Sequence, residues 1–467
     1  MMRSLYSGVA GLRTHQTRMD VIGNNIANVN TVGYKFQSMN FSDMLYQTTS
    51  AASGPNAATG TGGVNARQIG LGSKTAAITT AITQAGAAQT TNNPFDIYIT
   101  GESFFVVSDG SDTLFTRDGS FAVDAAGNLV MSSNGYNVMG WLTDPDDPNT
   151  IKQDNVQPLQ IMSKTFSTYP AEATTLAYAS GIIDRNDTNV TSQAGKAINL
   201  KFYDKLGYSY TAKFSVSSNG ITEQGTYALK LESIVDEKGT AIQTNPNAQI
   251  NGATVQNLYV HFNKANGQFI GIDGNVTPST TLSDTIVLDF DNGTDTASQV
   301  NFSDVEIDFS SISNVNNDGA STVALTAGAS GNEKSGKYTA GAGRGRKTGE
   351  MTGVSITNNG SIYATYDNGQ SRLLGQIAAA NFANAMGLEK TGDNLYKQSQ
   401  NSGEFDGIGV DVTADGGYFT TGELEMSNVD LSNELTTMIV TQRGFQANSR
   451  IITVSDTMLE ELVNLKR

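Results

Sequence analysis

The residue types that carry most catalytic chemistry are scarce in this sequence of 467 residues. It contains no Cys, which excludes disulfides, thiolate metal sites and cysteine nucleophiles. Of its two histidines, His15 and His261, the first lies between Arg13 and Arg18, where an interface side chain is a better interpretation than a metal ligand. No Ser, His and Asp set and no pair of carboxylates stands out. We therefore predict that the protein is not an enzyme.

Two segments approach the spacing of ligand-binding loops. Residues 331–337 have the glycine and lysine spacing of a phosphate-binding loop, but Tyr338 stands where a metal-binding hydroxyl is needed and no helix is predicted to follow. Residues 289–295 offer several oxygen ligands, yet their glycine comes early for a calcium-binding EF-hand loop and no Glu closes it. The sequence therefore predicts no cofactor and no metal.

Charge and hydropathy exclude further classes of partner. The chain has 29 basic and 45 acidic residues, a net charge of −16. Nucleic acids and anionic membranes are bound by Lys and Arg, so neither is an expected partner. No apolar run is long enough to span a membrane, and the apolar segment 5–12 is not followed by a cleavage site. The composition, rich in Gly, Asn, Thr and Ser, is similar to that of proteins that leave the cell, so export without a cleaved signal stays open beside a cytoplasmic location.

Apolar residues repeat every seven positions at both ends of the chain, which predicts two amphipathic helices. The ends carry opposite net charge, so we expect the two helices to pair as an inner, coiled-coil-like domain. Asp430 or Ser427 could cap the second helix. In that helix we place Gln442, Ser449 and Asp456 at the alternate seam positions, which favours packing against several neighbours. The residues predicted to form the subunit interface are Leu5, Leu12, Met19, Ile26, Leu431, Leu435, Met438, Phe445, Ile452 and Leu459.

Between these helices, short runs of alternating apolar and polar residues are separated by turn residues, which predicts β-strands. Residues 116–121 and 357–362 have similar sequences, which is either chance or a sign that one β-domain is built from both flanks of the chain. The predicted fold is mainly β with terminal α-helices. Its predicted parts are a helical domain (1–30 and 425–467), an extended connector (31–92), an inner β-domain (93–163 and 346–424) and an inserted outer β-domain (164–345).

Residues 20–35 resemble the N-terminal signature of the bacterial flagellar rod and hook family. The residues that carry this likeness are Asn24, Asn25, Ala27, Asn28, Asn30, Thr31, Gly33, Tyr34 and Lys35. The C-terminal helix is similar to the second signature of that family, through Gln442, Arg443, Phe445, Gln446, Ala447, Asn448 and Ser449. The likeness extends to residues 95–141 and 375–404. The long insertion, and residues 202–210, which are similar to a Tyr-Asp-x-Leu-Gly hairpin, favour the hook branch of the family over the rod branch.

The resemblance implies a structural subunit that polymerises with itself into a curved, flexible helical tube, the flagellar hook. Such a tube transmits motor torque to the filament as a universal joint. The implied partners are the flagellar rod, hook cap and hook–filament junction proteins and the flagellar type III export apparatus. The implied location is the hook, outside the cell, reached without a cleaved signal peptide. The alternative is a rod subunit, which would form a straight shaft.

Overall fold

The structure is a computed structural model that describes residues 2–55, 60, 62–144, 147, 149–242, 247–250, 252–255, 257–290, 301–331 and 338–465. Most of the two loop-like segments discussed above, residues 332–337 and 291–295, lies outside the described residues. The chain divides into two compact units. Unit 1 comprises Met1–Phe166, Gly353–Ala364 and Ser371–Arg467, and unit 2 comprises Ser167–Thr352 and Thr365–Gln370.

The N-terminal part of unit 1 begins with helix α1, Met2–Ala27. The helix ends there because the Asn28 side-chain amide donates to the backbone oxygen of Asn24 at 2.9 Å, a local bond that competes with helix continuation. Twelve strands follow among the described residues: β1 (Gln37–Asp43), β2 (Tyr46–Ser50), β3 (Arg67–Gly70), β4 (Ser73–Thr80), β5 (Ala88–Thr90), β6 (Ile97–Ile99), β7 (Phe104–Ser108), β8 (Thr113–Thr116), β9 (Phe121–Val123), β10 (Leu129–Met131), β11 (Asn137–Leu142) and β12 (Gln157–Pro158).

The middle of the chain adds one short helix, α2 (Thr188–Thr191), which the Asp187 carboxylate caps by accepting from the Asn189 backbone N–H. Its strands are β13 (Thr168–Tyr169), β14 (Leu176–Ile182), β15 (Lys196–Tyr203), β16 (Ser209–Ser217), β17 (Thr226–Asp236), β18 (Asn247–Ile250), β19 (Ala253–Thr254), β20 (Leu258–Phe262), β21 (Phe269–Asp273), β22 (Thr285–Asp289), β23 (Val305–Ser313) and β24 (Ala324–Ala327).

The C-terminal part ends in helix α3, Leu431–Asn464. Of the two residues predicted to cap it, Asp430 does so: its carboxylate accepts from the backbone N–H groups of Ser432 and Asn433 at 2.9 and 3.2 Å. The strands before it are β25 (Gly349–Ile356), β26 (Ser361–Tyr366), β27 (Ser371–Ile377), β28 (Ala379–Ala380), β29 (Glu389–Gly392), β30 (Leu395–Lys397), β31 (Phe419–Thr421) and β32 (Glu423–Glu425).

Strands from both flanks of the chain pair with each other in unit 1. Part of the larger sheet runs in the order β26-β27-β11-β7-β8-β30-β29. Gly140 of β11 lies opposite Ile377 of β27, and Thr116 of β8 lies opposite Leu395 of β30. Two smaller pairs, β6 with β31 and β5 with β32, are built in the same way. One apolar cluster, with Phe104 and Phe115 from one flank and Phe382 and Tyr396 from the other, lies beneath these strands.

The two similar segments 116–121 and 357–362 have different strand partners. Residues 116–121 connect β8 to β9, and β9 pairs with β10 while β8 pairs with β7 and β30. Residues 357–362 close the hairpin between β25 and β26, where the Thr357 N–H donates to the Ser361 oxygen at 2.9 Å. The similarity of sequence therefore reflects turn chemistry, and the joining of both flanks rests on the strand pairs above.

Unit 2 is built from a six-stranded sheet, β19-β18-β22-β23-β14-β24, and a five-stranded sheet, β15-β16-β17-β20-β21. Strands β14 and β23 are parallel. Inward-facing residues of both sheets, such as Leu200 and Phe214 from one and Leu288 and Ile307 from the other, share one apolar core. This is the packing of a β-sandwich.

The predicted fold class, mainly β with terminal α-helices, is confirmed. The segment predicted as an extended connector contains five strands, β1–β5. Strand β1 pairs with β4 over its whole length, from Gln37 opposite Thr80 to Asp43 opposite Ser73. Within the described residues, none of the helices combines the length and hydropathy that crossing a bilayer requires.

Candidate assembly site

Helices α1 and α3 pack antiparallel along their length, and glycines let them approach closely. An added Cβ at Gly8 would lie 3.3 Å from Ile452 Cγ1, and one at Gly11 would lie 2.7 Å from Asn448 Nδ2. Further along, an added Cβ at Gly444 would lie 2.7 Å from His15 Cε1. Along these contacts the α1 number rises from 8 to 15 while the α3 number falls from 452 to 444, so a single antiparallel register runs through the helix pair.

The buried residues of this helix pair are glycines and polar side chains, except for the apolar Ile22 of α1. On α3 the buried residues are Glu434, Thr441 and Ser455. The expectation that Gln442 and Asp456 occupy alternate seam positions is wrong, because both are exposed. The buried position after Met438 is Thr441, three residues on, and not Gln442, four residues on.

The predicted interface residues flank this seam and are only partly covered within the chain. Leu5, Leu12, Met19 and Ile26 are half-buried on α1, as are Met438, Phe445, Ile452 and Leu459 on α3. Leu431 and Leu435 are exposed. Each therefore keeps apolar area open to solvent, and its burial by a second subunit remains a prediction.

The end of α1 is fixed to the start of α3 through Asn25, which is fully buried. Its amide nitrogen donates to Gln37 O at 2.7 Å and to Glu434 Oε2 at 3.0 Å. Its amide oxygen accepts from Gln37 N at 3.0 Å and from Tyr34 Oη at 3.2 Å. Every polar atom of the Asn25 side chain is used, so the residue sets the direction in which the chain leaves the helix.

Lys35 lies in a buried ionic cluster with Glu425 and Arg117. Lys35 Nζ is 2.6 Å from Glu425 Oε1, and Arg117 Nη1 is 3.7 Å from Glu425 Oε2. Lys35 also donates to Gln84 O at 2.8 Å, and Arg117 Nη2 donates to Gly101 O at 2.6 Å. The cluster thus joins the segment after α1 to the strand that precedes α3. Burial outweighs the carboxylate and holds the pKa of the Lys35 ammonium below its ordinary value.

Gly33 lies against this cluster in a left-handed conformation, with φ of 68°. Its N–H donates to Glu425 O at 2.8 Å, and an added Cβ would lie 3.0 Å from the Asp118 backbone nitrogen. Both facts call for glycine at this position. Tyr34, the next residue, lies beneath Lys390, whose Nζ is 4.7 Å from the centre of the Tyr34 ring. Burial lowers the pKa of Lys390 to about 8.

The other N-terminal signature residues form a turn. Asn28 Nδ2 donates to Asn24 Oδ1 at 2.9 Å, and Thr31 Oγ1 donates to Asn28 Oδ1 at 3.1 Å. Ala27 and Asn30 are exposed.

The residues of the C-terminal signature lie outside this junction. Gln442, Arg443, Gln446 and Ala447 are exposed on α3, while Phe445, Asn448 and Ser449 are half-buried. Of these signature residues, Asn448 is the one that lies against a glycine of α1, Gly11.

Sequence reasoning missed Arg117, Glu425, Glu434 and Asn428 as members of the site. Asn428 Oδ1 accepts from the Phe36 N–H at 2.6 Å, and its amide nitrogen donates to Ala81 O and Gln84 O, both at 3.0 Å. The one available signal was Lys35 itself, because a lysine inside a dense Asn and Gly motif that packs needs an acidic partner. The arrangement holds chain segments together. Among the described residues no group of three or more His, Asp or Glu is placed to hold a metal.

Three segments of the chain match described protein families. Residues 5–35 match "Flagella basal body rod protein", residues 98–164 match "Flagellar hook protein FlgE/F/G D1 domain", and residues 420–465 match "Flagellar basal body rod FlgEFG protein C-terminal". The first and third of these segments contain the two predicted signatures.

Relatives match along the whole chain. The flagellar hook protein FlgE of Treponema pallidum is 36% identical, and that of Borreliella burgdorferi is 35% identical, each over 100% of both chains. The flagellar basal-body rod protein FlgG of Bacillus subtilis is 28% identical, also over 100% of both chains. The predicted preference for the hook branch is confirmed by these identities. The chain belongs to the flagellar hook protein family.

Proposed function

We propose that this structural hook subunit polymerises with itself into a curved, flexible helical tube that acts as a universal joint between motor and filament. The observation that carries the proposal is the state of the helix pair. The two helices already pack against each other within one chain, yet large apolar side chains on both helices stay exposed. A subunit with different, complementary surfaces that do not close on themselves forms a helical polymer.

The junction around Asn25, Lys35 and Glu425 supports this role. It ties both terminal helices to the β-strands of unit 1 through buried and partly buried bonds. A load applied to the helices is therefore passed to the strands through direct hydrogen bonds and ion pairs and not through a loose linker. Polar, hydrated surfaces elsewhere favour sliding, because hydrogen bonds through water exchange at little cost.

The remaining parts of the proposal follow from family membership. The partners are the flagellar rod, hook cap and hook–filament junction proteins, and the chain reaches the hook, outside the cell, through the flagellar type III apparatus without a cleaved signal peptide. The subunit carries out no catalysis and takes no cofactor.

Truncation tests the central step. Full-length protein is expected to form curved tubes in electron microscopy. Variants lacking residues 1–30 or 425–467 are expected to stay monomeric, because each lacks one of the two helices. Polymerisation of either truncated chain would refute assembly through the helices. Straight, rigid shafts from the full-length chain would favour a rod subunit, the role named for the Bacillus subtilis relative.

Flexibility has its own test. We propose that the segment containing β2 and β3 links the core of the tube to its outer layers. Shortening residues 48–66 is then expected to change the bending stiffness of the tubes, measured from their curvature fluctuations. An unchanged bending stiffness would show that this segment does not contribute to the flexibility of the tube.

A further inference from the structure

A groove runs along the side of α1 that does not face α3. Its volume is about 530 Å³. Its apolar lining comes from Tyr6, Val9 and Ala10 of α1 together with Met44 and Leu71, which flank the strands packed beside the helix. Tyr6 is 62% exposed. Exposed apolar grooves occur where a second protein chain, a membrane or a ligand binds.

The rim of the groove is positively charged. Arg3, Arg13 and Lys74 line it, and no acidic residue does. In a chain with a net charge of −16 this is an uncommon concentration of positive charge. None of the three forms an ion pair within the part of the chain that the structure describes. The groove therefore favours an acidic, amphipathic partner.

The last turns of α3 have that chemistry. In the register set by Gly8 with Ile452 and Gly11 with Asn448, the first turn of α1 lies opposite residues near 457. The helix continues to Asn464, so its last turns have no part of α1 opposite them. We call residues 458–465 the α3 overhang.

The overhang exposes apolar side chains and acids. Val463 is 68% and Leu465 is 81% exposed, and Met458 and Leu462 are also exposed. Glu460 and Glu461 lie among them, and neither forms an ion pair among the described residues. The basic Lys466 and Arg467 follow and lie outside the described residues.

We propose that the α3 overhang of one subunit docks in the α1 groove of a second copy of this chain, with Glu460 and Glu461 against the cationic rim. The inference rests on the proposed self-polymerisation and adds which two surfaces meet. The contact is heterologous, since groove and overhang are different surfaces of the same chain. It therefore leaves one groove and one overhang free at the ends and lets the assembly grow.

Charge exchange tests the pairing in the full-length protein. The groove variant carries Arg13→Glu and Lys74→Glu, and the overhang variant carries Glu460→Lys and Glu461→Lys. All four side chains are exposed, so circular dichroism should show each variant folded. Each variant is expected to raise the concentration needed for polymerisation by about tenfold or more, because like charges then face each other. A chain with all four substitutions is expected to polymerise like the unchanged chain.

A matched control carries the same charge change on unit 2, Lys213→Glu with Lys238→Glu, and should polymerise normally. If the groove variant and the overhang variant polymerise poorly and the chain with all four substitutions does too, the proposed pairing is wrong. If neither variant is impaired, the groove is not an interface. Both results leave the proposed function standing, because that proposal is tested separately, by the truncated chains and by the shape of the full-length polymer.

Cysteine cross-linking gives a second, independent readout, since the chain has no Cys. Tyr6→Cys with Met458→Cys is expected to give a ladder of dimers, trimers and larger species on oxidation, because each subunit joins two others. The control pair, Tyr6→Cys with Gln442→Cys, places the second thiol on an exposed position of α3 that lies opposite residues near 17 of α1 and well before the overhang, and it should give no ladder. A single dimer band from the first pair would overturn the heterologous contact.

Discussion

Removing one partner from the buried Lys35–Glu425–Arg117 cluster should destabilise unit 1 strongly. The Lys35 and Glu425 side chains are 1% and 0% exposed, and Arg117 is equally buried. Breaking a buried ion pair by removing one partner costs about 3–5 kcal/mol, because the other charge is left uncompensated. Glu425→Gln leaves two buried cations, while Lys35→Met leaves one carboxylate that keeps Arg117 and the Gly86 N–H, 2.8 Å away. We therefore expect Glu425→Gln to cost more than Lys35→Met.

Trp141 makes this measurable in a chain of two units. It is the single tryptophan, it is 1% exposed, and it lies in unit 1. Its fluorescence during urea unfolding of the monomer therefore follows unit 1 alone. The double variant should be destabilised by less than the sum of the two single variants, by about 1–3 kcal/mol, since the residues share one network.

A matched control is the exposed pair Lys152 and Asp154, 2.9 Å apart in the same unit. Lys152→Met should change the free energy of unfolding by less than about 1 kcal/mol, as is usual for exposed pairs. If Lys35→Met and Glu425→Gln cost no more than this control, the cluster does not hold the junction and the reasoning is refuted.

Three further predictions concern the helix pair and its junction. Gly33→Ala should destabilise unit 1 by about 1–3 kcal/mol in the same fluorescence assay, because φ is 68° and a backbone atom lies 3.0 Å from the added Cβ; an unchanged midpoint would contradict this. Gly11→Val should separate α1 from α3 and lower the helical circular dichroism signal, because a Cβ at position 11 would lie 2.7 Å from the Asn448 side chain. Adding Asn448→Ala should restore part of that signal. An equal loss of signal with and without Asn448→Ala would show that this contact is not the cause. Burial, with Arg18 nearby, lowers the pKa of His15 from its ordinary value of 6.5. As the pH falls below 6.5, the unfolded chain therefore binds a proton at His15 that the folded chain does not bind. The free energy of unfolding decreases in that pH range. His15→Gln should remove that part of the pH dependence, and identical pH profiles would exclude His15 as its source.

The sequence predicted those features that depend on local spacing. The columns through Leu12 and Phe445 indicated both helices, and the Asn and Gly motif at Asn25 to Lys35 marked the segment that the structure places at the junction. The helix seam was placed one residue off on α3, because the close approach at Gly8, Gly11 and Gly444 depends on which faces meet, and a seven-residue apolar repeat does not determine that.

Long-range pairings lay beyond sequence reasoning for a related cause. Lys35 and Glu425 are 390 positions apart, and nothing in the residues between them indicates that they meet. Strand β4 lacks a clear alternation of apolar and polar residues, since its sequence is Ser-Lys-Thr-Ala-Ala-Ile-Thr-Thr. The sequence pattern therefore could not predict its pairing with β1.

The most direct test of the account is a helical reconstruction of tubes grown from the full-length chain. It is expected to show curved tubes in which α1 and α3 form the inner wall, with the α3 end of each subunit against α1 of a neighbour. Tubes whose inner wall is made of β-strands, or in which the terminal helices touch no neighbouring subunit, would contradict the central claim.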